Sequence, residues 1–114
     1  MTLLPKHILA TLPLMRATED EGLDALARVK FFTPDAEWTW YGSEFDGTDR
    51  FFGLVVGEEA ELGSFSLAEL QEIRGHMGLP VERDLDFDPV PLRQLLVRYG
   101  ETWAARASGP IIRS

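Results

Sequence analysis

Apolar residues recur at two spacings along this chain, and each spacing predicts a different kind of element. Leu4, Ile8 and Leu12 stand four apart between Pro5 and Pro13, which predicts a short amphipathic helix bracketed by its prolines. Thr18 to Asp24 is acidic, contains Gly22 and has no period, so it reads as a loop or frayed turn. From Arg28 the pattern becomes that of strands. Arg28 to Phe32 is one, closed by the turn residues Thr33, Pro34 and Asp35. Glu37 to Phe45 is a second, whose Trp38, Trp40, Tyr41 and Phe45 favour a pleated surface.

Asp46 and Gly47, followed by Thr48 and Asp49, carry the clearest hairpin signal, because an Asp-Gly step supplies the positive backbone angles of a tight turn. Arg50 to Val56 is then the third strand. With Gly47 and Thr48 as the loop, Asp46 faces Asp49, Glu44 faces Phe51, Gly42 faces Gly53 and Trp40 faces Val55. Two opposed glycines predict a shallow trough walled by Trp40, Phe51 and Glu44, to be filled by an aromatic ring, by a close helix or by a ligand.

Gly57 to Glu59 makes the next turn and Ala60 to Phe65 the fourth strand. Ser66 and Glu69 form a Ser-x-x-Glu capping box opening a helix with Leu67, Leu70, Ile73 and Met77 on or near one core-facing side, ended by Gly75, Gly78 and Pro80. Val81, Arg83, Leu85 and Phe87 alternate with Glu82, Asp84 and Asp86, which marks a strand with an acidic face, suited to a protected sheet edge. Leu92, Leu95, Leu96 and Tyr99 predict a last amphipathic helix, with Gly100 a stop or kink, Trp103 a docking residue and residues 108–114 a tail. The expected fold class is α+β: an antiparallel β-meander of four to five strands with two to three flanking helices, in a single domain over 1–114.

Composition narrows the function classes. Cysteine is absent, so disulfides and thiolate chemistry are excluded and a cytoplasmic setting is expected. The first residues do not read as a signal peptide, and no run of about eighteen apolar residues predicts a spanning helix. Net charge is -8 and unevenly spread: residues 1–34 carry four bases and four acids, 35–88 three bases and fourteen acids, 89–114 four bases and one acid. Such a middle segment repels nucleic acid and anionic membranes and attracts a basic protein surface, although acidity also serves plain solubility.

Catalytic motifs are missing. No serine lies in a Gly-x-Ser-x-Gly turn, His7 and His76 have no carboxylate at a telling spacing, and neither a His-x-x-x-His pair, a calcium loop nor a phosphate loop occurs. No residue set calls for a cofactor or a metal centre. Candidate partner-binding residues are the carboxylates Glu44, Asp46 and Asp49 near the hairpin and Glu82, Asp84 and Asp86 on the later strand. An alternative is a metal-dependent nucleic-acid enzyme in which Glu44, Asp46 and Glu82 converge on magnesium. Another is a small-molecule binder using the trough of Trp40, Gly42, Phe51 and Gly53.

The strings Lys30-Phe-Phe-Thr-Pro-Asp35, Trp38-Thr-Trp-Tyr41, Glu44-Phe-Asp-Gly47, Phe51-Phe-Gly-Leu-Val55, Glu61-Leu-Gly63, Phe65-Ser-Leu67 and Glu82-Arg-Asp84 resemble, in this order, the domain of unknown function 2958 family, over about residues 3 to 92. The resemblance implies small cargo of bacterial plasmids, phages and integrative elements, and supplies no catalytic residues. Together with the charge split it leads to the expectation of a non-enzymatic acidic interaction module, one that imitates nucleic acid to engage a basic surface on a defence or nucleic-acid-handling protein.

Overall fold

A computed structural model describes residues 1–106, with side chains described through Tyr99. In chain order it contains α1 (Lys6–Leu9), a 3-10 stretch (Glu19–Asp24), β1 (Leu26–Ala27), β2 (Val29–Phe32), β3 (Thr39–Phe45), β4 (Arg50–Val56), β5 (Ala60–Ser66), α2 (Leu67–Glu72), β6 (Glu82–Arg83), β7 (Val90–Pro91) and α3 (Leu92–Arg106). Five strands form one antiparallel sheet in the order β5-β4-β3-β2-β6, and β1 pairs with β7 in a separate two-stranded ladder. The fold is α+β.

The interior strand β4 reads Arg-Phe-Phe-Gly-Leu-Val-Val, apolar almost throughout, because helices or loops cover both faces of the sheet. On one face Val29, Phe31, Trp40, Phe45, Phe51 and Phe65 meet Leu3, Leu70 and Val81, with Leu4, Ile8 and Leu12 of the N-terminal segment laid over them. The ring of Phe51 sits between Phe45 at 4.6 Å and Phe65 at 4.9 Å, contacts worth roughly 1 kcal/mol each beyond area burial. On the other face Tyr41, Leu54 and Val56 pack with Leu23, Ala25, Ala27, Leu92, Leu95 and Leu96. The β1/β7 ladder, with the Leu92 N–H donating to the Ala25 carbonyl at 3.0 Å, fixes where α3 starts on that face.

Several expectations change in detail. The N-terminal helix is one turn, although its four-residue spacing does find the core. Residues 19–24 are partly helical around Gly22, whose φ of 56° breaks the run, and Leu23 is fully buried. The helix after β5 ends at Glu72, with Ile73 as its cap, so Met77 lies outside it and is 82% exposed instead of facing the core. The strand expected over Val81 to Phe87 pairs only through Glu82 and Arg83. Asp84 then accepts the Asp86 N–H at 2.9 Å, a turn that leaves Leu85 exposed and carries the chain past the sheet edge, so that Val81 packs on one face and Phe87 on the other. Helix α3 continues through Gly100. The expectations for the Trp103 side chain and the 108–114 tail lie outside the described residues.

The hairpin register is shifted at its tip. Phe45 faces Phe51 and Glu44 faces Phe52, one place from expectation, yet Gly42 still faces Gly53 and Trp40 still faces Val55. An extra residue, Ser43, absorbs the difference as a bulge. The wider loop forms because one oxygen of Asp46 accepts the N–H groups of Thr48, Asp49 and Arg50 at 2.8, 2.8 and 3.0 Å, with Gly47 at φ 91°.

Candidate functional site

Residues 33–38 connect β2 to β3 in a loop closed by the Thr33 N–H on the Trp38 carbonyl and the Trp38 N–H on Thr33 Oγ1, at 3.0 and 3.1 Å. Trp38 and Trp40 stand two apart and so project to the same side. Their rings stack 6.0 Å apart at 24°, but Trp40 is buried while Trp38 is 46% exposed. The Trp38 indole lies over Gly57, where a Cβ would come within 2.5 Å of the ring. A side chain at this position of the β4–β5 turn would thus displace the indole.

A second loop faces this pair. After Ile73 the chain doubles back through an Arg74–Pro80 bridge, with the Gly75 N–H on the Leu79 carbonyl at 2.9 Å and Gly78 at φ 80°. Asp35 anchors it: Oδ2 accepts the Met77 and Leu79 N–H groups at 2.6 and 3.3 Å. Arg74 Nη1 donates to the Gln71 and Ile73 carbonyls at 3.0 and 2.8 Å, closing the end of α2.

Between the loops lies a groove of about 1000 Å³, lined among others by Asp35, Trp38, Trp40, Ile73, Arg74 and His76. A second hollow of about 270 Å³ shares Trp38, Gly57 and Glu58 with the groove and is completed by Val55, Glu59 and Glu61. Glu37, Glu58, Glu59 and Glu61 are exposed and, among the described residues, have no ion-pair partner. The surface suits apolar groups and cations. His76 makes no side-chain hydrogen bond among the described residues.

The six carboxylates expected to bind a partner do not form one field. Glu44 is fully buried: its oxygens accept the Arg16 and Thr18 N–H groups at 2.8 Å each and the Thr18 hydroxyl, so it serves the interior. Asp46 spends an oxygen on its own loop, and the backbone N–H groups of Asp49 and Thr48 hold its carboxyl below the usual range. Asp49 accepts from Ser66 Oγ at 2.6 Å and from the Ala68 N–H at 2.8 Å, which lowers its pKa in the same order and completes the cap that Ser66 gives Glu69. Asp84 pairs with Lys30 at 3.5 Å. Glu82 and Asp86 line a hollow of about 360 Å³ at β6, the sheet edge opposite β5. Two to three inter-strand steps, roughly 10–14 Å, separate β6 from the β3–β4 hairpin that carries Asp46 and Asp49.

Nor do Glu44, Asp46 and Glu82 converge, for no group of three or more His, Asp or Glu able to hold a metal occurs among the described residues. The trough is closed where it was expected: a Cβ on Gly42 would meet both Phe51 and Val29 at 2.9 Å, so Phe51 is its filler and not its wall. Gly53 faces Gly63 as well, extending the glycine row to β5, where nothing lies within 4 Å. Tyr41, buried and bonded to the Tyr99 hydroxyl at 2.7 Å, has its pKa raised by burial first and that bond second. Among the described residues no helix is long and apolar enough to cross a membrane.

In the sequence Trp38 carries a strand signal and part of the family resemblance, and nothing there marks it as a surface residue. The signal available was the Trp-x-Trp spacing beside Gly57-Glu-Glu, but joining them requires the pairing of β3 with β4. Comparison with protein families gives a match to the protein of unknown function (DUF2958) model over residues 3–112. The chain belongs to the DUF2958 family. The match extends past the region of resemblance, which stopped near residue 92, and takes in α3 of this DUF2958 chain. No curated protein and no solved structure matches it.

Proposed function

We propose that this DUF2958 protein is a non-enzymatic interaction module that binds a basic surface of a protein partner through an acidic field centred on Trp38. The observation that carries the reading is the set Glu37, Glu58, Glu59 and Glu61, exposed and without ion pairs among the described residues, around a half-exposed indole. Asp20, Glu21, Glu69, Glu72, Asp86 and Asp88 are exposed as well, but it is these four that line hollows together with a half-exposed indole, an aromatic face that attracts cations. Like charges so close repel one another, and a cationic partner relieves that repulsion.

Basic grooves are characteristic of proteins that handle nucleic acid, so a defence or nucleic-acid-handling protein is the partner class we favour, in the mobile-element setting implied by the sequence resemblance. Fluorescent deca-arginine serves as the probe. Binding should weaken steeply with salt. It should fall further in the double variant Glu58→Lys, Glu59→Lys than in Glu82→Lys, Asp86→Lys, which has the same net charge. Salt-independent binding, or equal loss in the two variants, sinks the reading.

A further inference from the structure

We infer that the open edge of β5 takes up an extended, basic segment of the partner as a further antiparallel strand, with a lysine or arginine opposite Glu61. The inference rests on the proposed acidic module and names how its partner is held.

The two edges of the large sheet end differently. β6 pairs over two residues, and its chain turns away at Asp84. β5 runs seven residues from Ala60 to Ser66, pairs along its whole length with β4 and has no strand on its other side. Proline, lysine and bulges, the usual guards of such an edge, are absent from it, and Glu61 is its one charge.

The ladder decides which backbone groups face outward. The Gly57 N–H donates to the Glu59 carbonyl at 3.0 Å and the Leu67 N–H to the Asp49 carbonyl at 2.9 Å, at the two ends of one continuous register. Bonded pairs alternate with unbonded ones in an antiparallel ladder, so Glu61, Gly63 and Phe65 turn their N–H and C=O groups to β4. Ala60, Leu62 and Ser64 turn theirs outward, and none of these groups has a partner among the described residues. Such a row is a template for an added strand.

Charge selects the occupant. Glu58, Glu59 and Glu61 stand exposed at the start of β5, without ion pairs among the described residues. A second copy of this chain would bring another net charge of -8 towards them, whereas a basic segment neutralises them. Side chains directly opposite on adjacent strands lie about 5 Å apart at Cβ, where opposite charges attract. A cation opposite Glu61 projects to the face where Glu61 lines a hollow with Trp38, Glu58 and Glu59. Because Glu61 bonds inward, that basic residue turns its own N–H away from β5, and its two neighbours bond to Ala60 and Leu62.

The probe is the blocked hexapeptide Val-Thr-Val-Thr-Arg-Thr, titrated into the isotope-labelled full chain. Three forms are compared with it: N-methylated at the threonine before the arginine, N-methylated at the arginine, and with glutamine for arginine. The amides of Ala60, Leu62 and Ser64 should shift and exchange more slowly with solvent. Methylating the threonine removes a bond to β5 and should weaken binding about tenfold or more, whereas methylating the arginine should cost far less. Glutamine for arginine, or Glu61→Gln in the protein, should each weaken binding about two- to fivefold. Ser64→Pro removes an outward N–H and no bond to β4, and should abolish peptide binding; the methylated peptides test the edge even if this variant fails to fold.

Equal affinity of the two methylated peptides, or no change at Ala60, Leu62 and Ser64, overturns strand addition while salt-dependent deca-arginine binding through Glu58 and Glu59 leaves the acidic module standing. A chain that dimerises alone with those three amides protected overturns it in favour of a second copy. Deca-arginine binding that ignores Glu58→Lys and Glu59→Lys removes the module itself.

Discussion

The carboxylate of Asp35 occupies the space that a side chain on Gly75 would need: a Cβ there would stand 1.5 Å from Oδ1. Glycine at this position is thus a condition for Asp35 to reach the Met77 and Leu79 N–H groups and hold the groove's outer loop. Gly75→Ala should destabilise the chain by roughly 1–3 kcal/mol, the usual cost of overpacking, read as a lower urea midpoint. Asp35→Ala should speed hydrogen exchange at Met77 and Leu79 in particular. The double variant should lose less than the sum of the two, since removing the carboxylate clears room for the methyl group.

The glycine row across β3, β4 and β5 yields a sharper contrast. A Cβ on Gly53 would lie 1.8 Å from the Tyr41 carbonyl oxygen, which is backbone and has nowhere to move, whereas one on Gly63 meets nothing within 4 Å. Gly63→Ala should stay within roughly 0.5 kcal/mol of the parent, or gain from a stiffer unfolded chain. Gly53→Ala should cost about 3 kcal/mol or more and displace β3 from β4. Thermal melts of the two variants check the pairing directly; similar melting temperatures would contradict the register.

The sheet is legible in the sequence where a strand carries its own signal. Asp46-Gly47 marks the hairpin, and the aromatic and β-branched runs on either side mark its strands, so Gly42 and Gly53 are found opposite each other. At the tip the Asp46 carboxylate widens the loop through N–H groups two to four residues on and Ser43 takes up the slack, a choice of turn that an Asp-Gly step alone does not specify. Val81 to Phe87 alternates like a strand, but after the Asp84 N–H reaches the Lys30 carbonyl at 2.9 Å the Asp84 carboxylate takes the Asp86 N–H and turns the chain away from β2. Elsewhere what stays hidden is set by partners far away in the chain. The charge of the middle segment is plain in the sequence; which carboxylates remain free to meet a partner depends on hydrogen bonds to Arg16, Thr18, Ser66 and Ala68 that sequence distance conceals.

Asp46 and Asp49 set an acid limit on the fold. The backbone N–H groups of Asp49 and Thr48 hold Asp46 low, and the Ser66 hydroxyl, then the Ala68 N–H, hold Asp49 low. In the unfolded chain aspartate titrates near about 3.9. Below that value the unfolded chain takes up protons that the fold does not, so stability is full above it and is lost as pH falls through the lower folded values. Urea midpoints across this range should drop towards acid in the parent. Asp49→Asn should be less stable near neutrality and show a shallower drop; an unchanged acid limb would show that the Ser66 and Ala68 contacts do not select the charged form.

Glu44 separates a structural carboxylate from a recognition one. It is fully buried, and its two oxygens receive the Arg16 and Thr18 N–H groups, fixing Arg16 at a φ of 69° that a side chain rarely adopts. The Phe45 N–H on the Pro13 carbonyl at 2.9 Å lays the same segment along β3. Glutamine keeps the shape but turns one acceptor into a donor facing an N–H, so Glu44→Gln should cost about 1–3 kcal/mol and raise exchange at Arg16 and Thr18. Binding of deca-arginine by the folded fraction should be unchanged, because this carboxylate does not face solvent. A selective loss of binding with stability intact would return Glu44 to the partner surface and place the field at the hairpin instead of at Trp38.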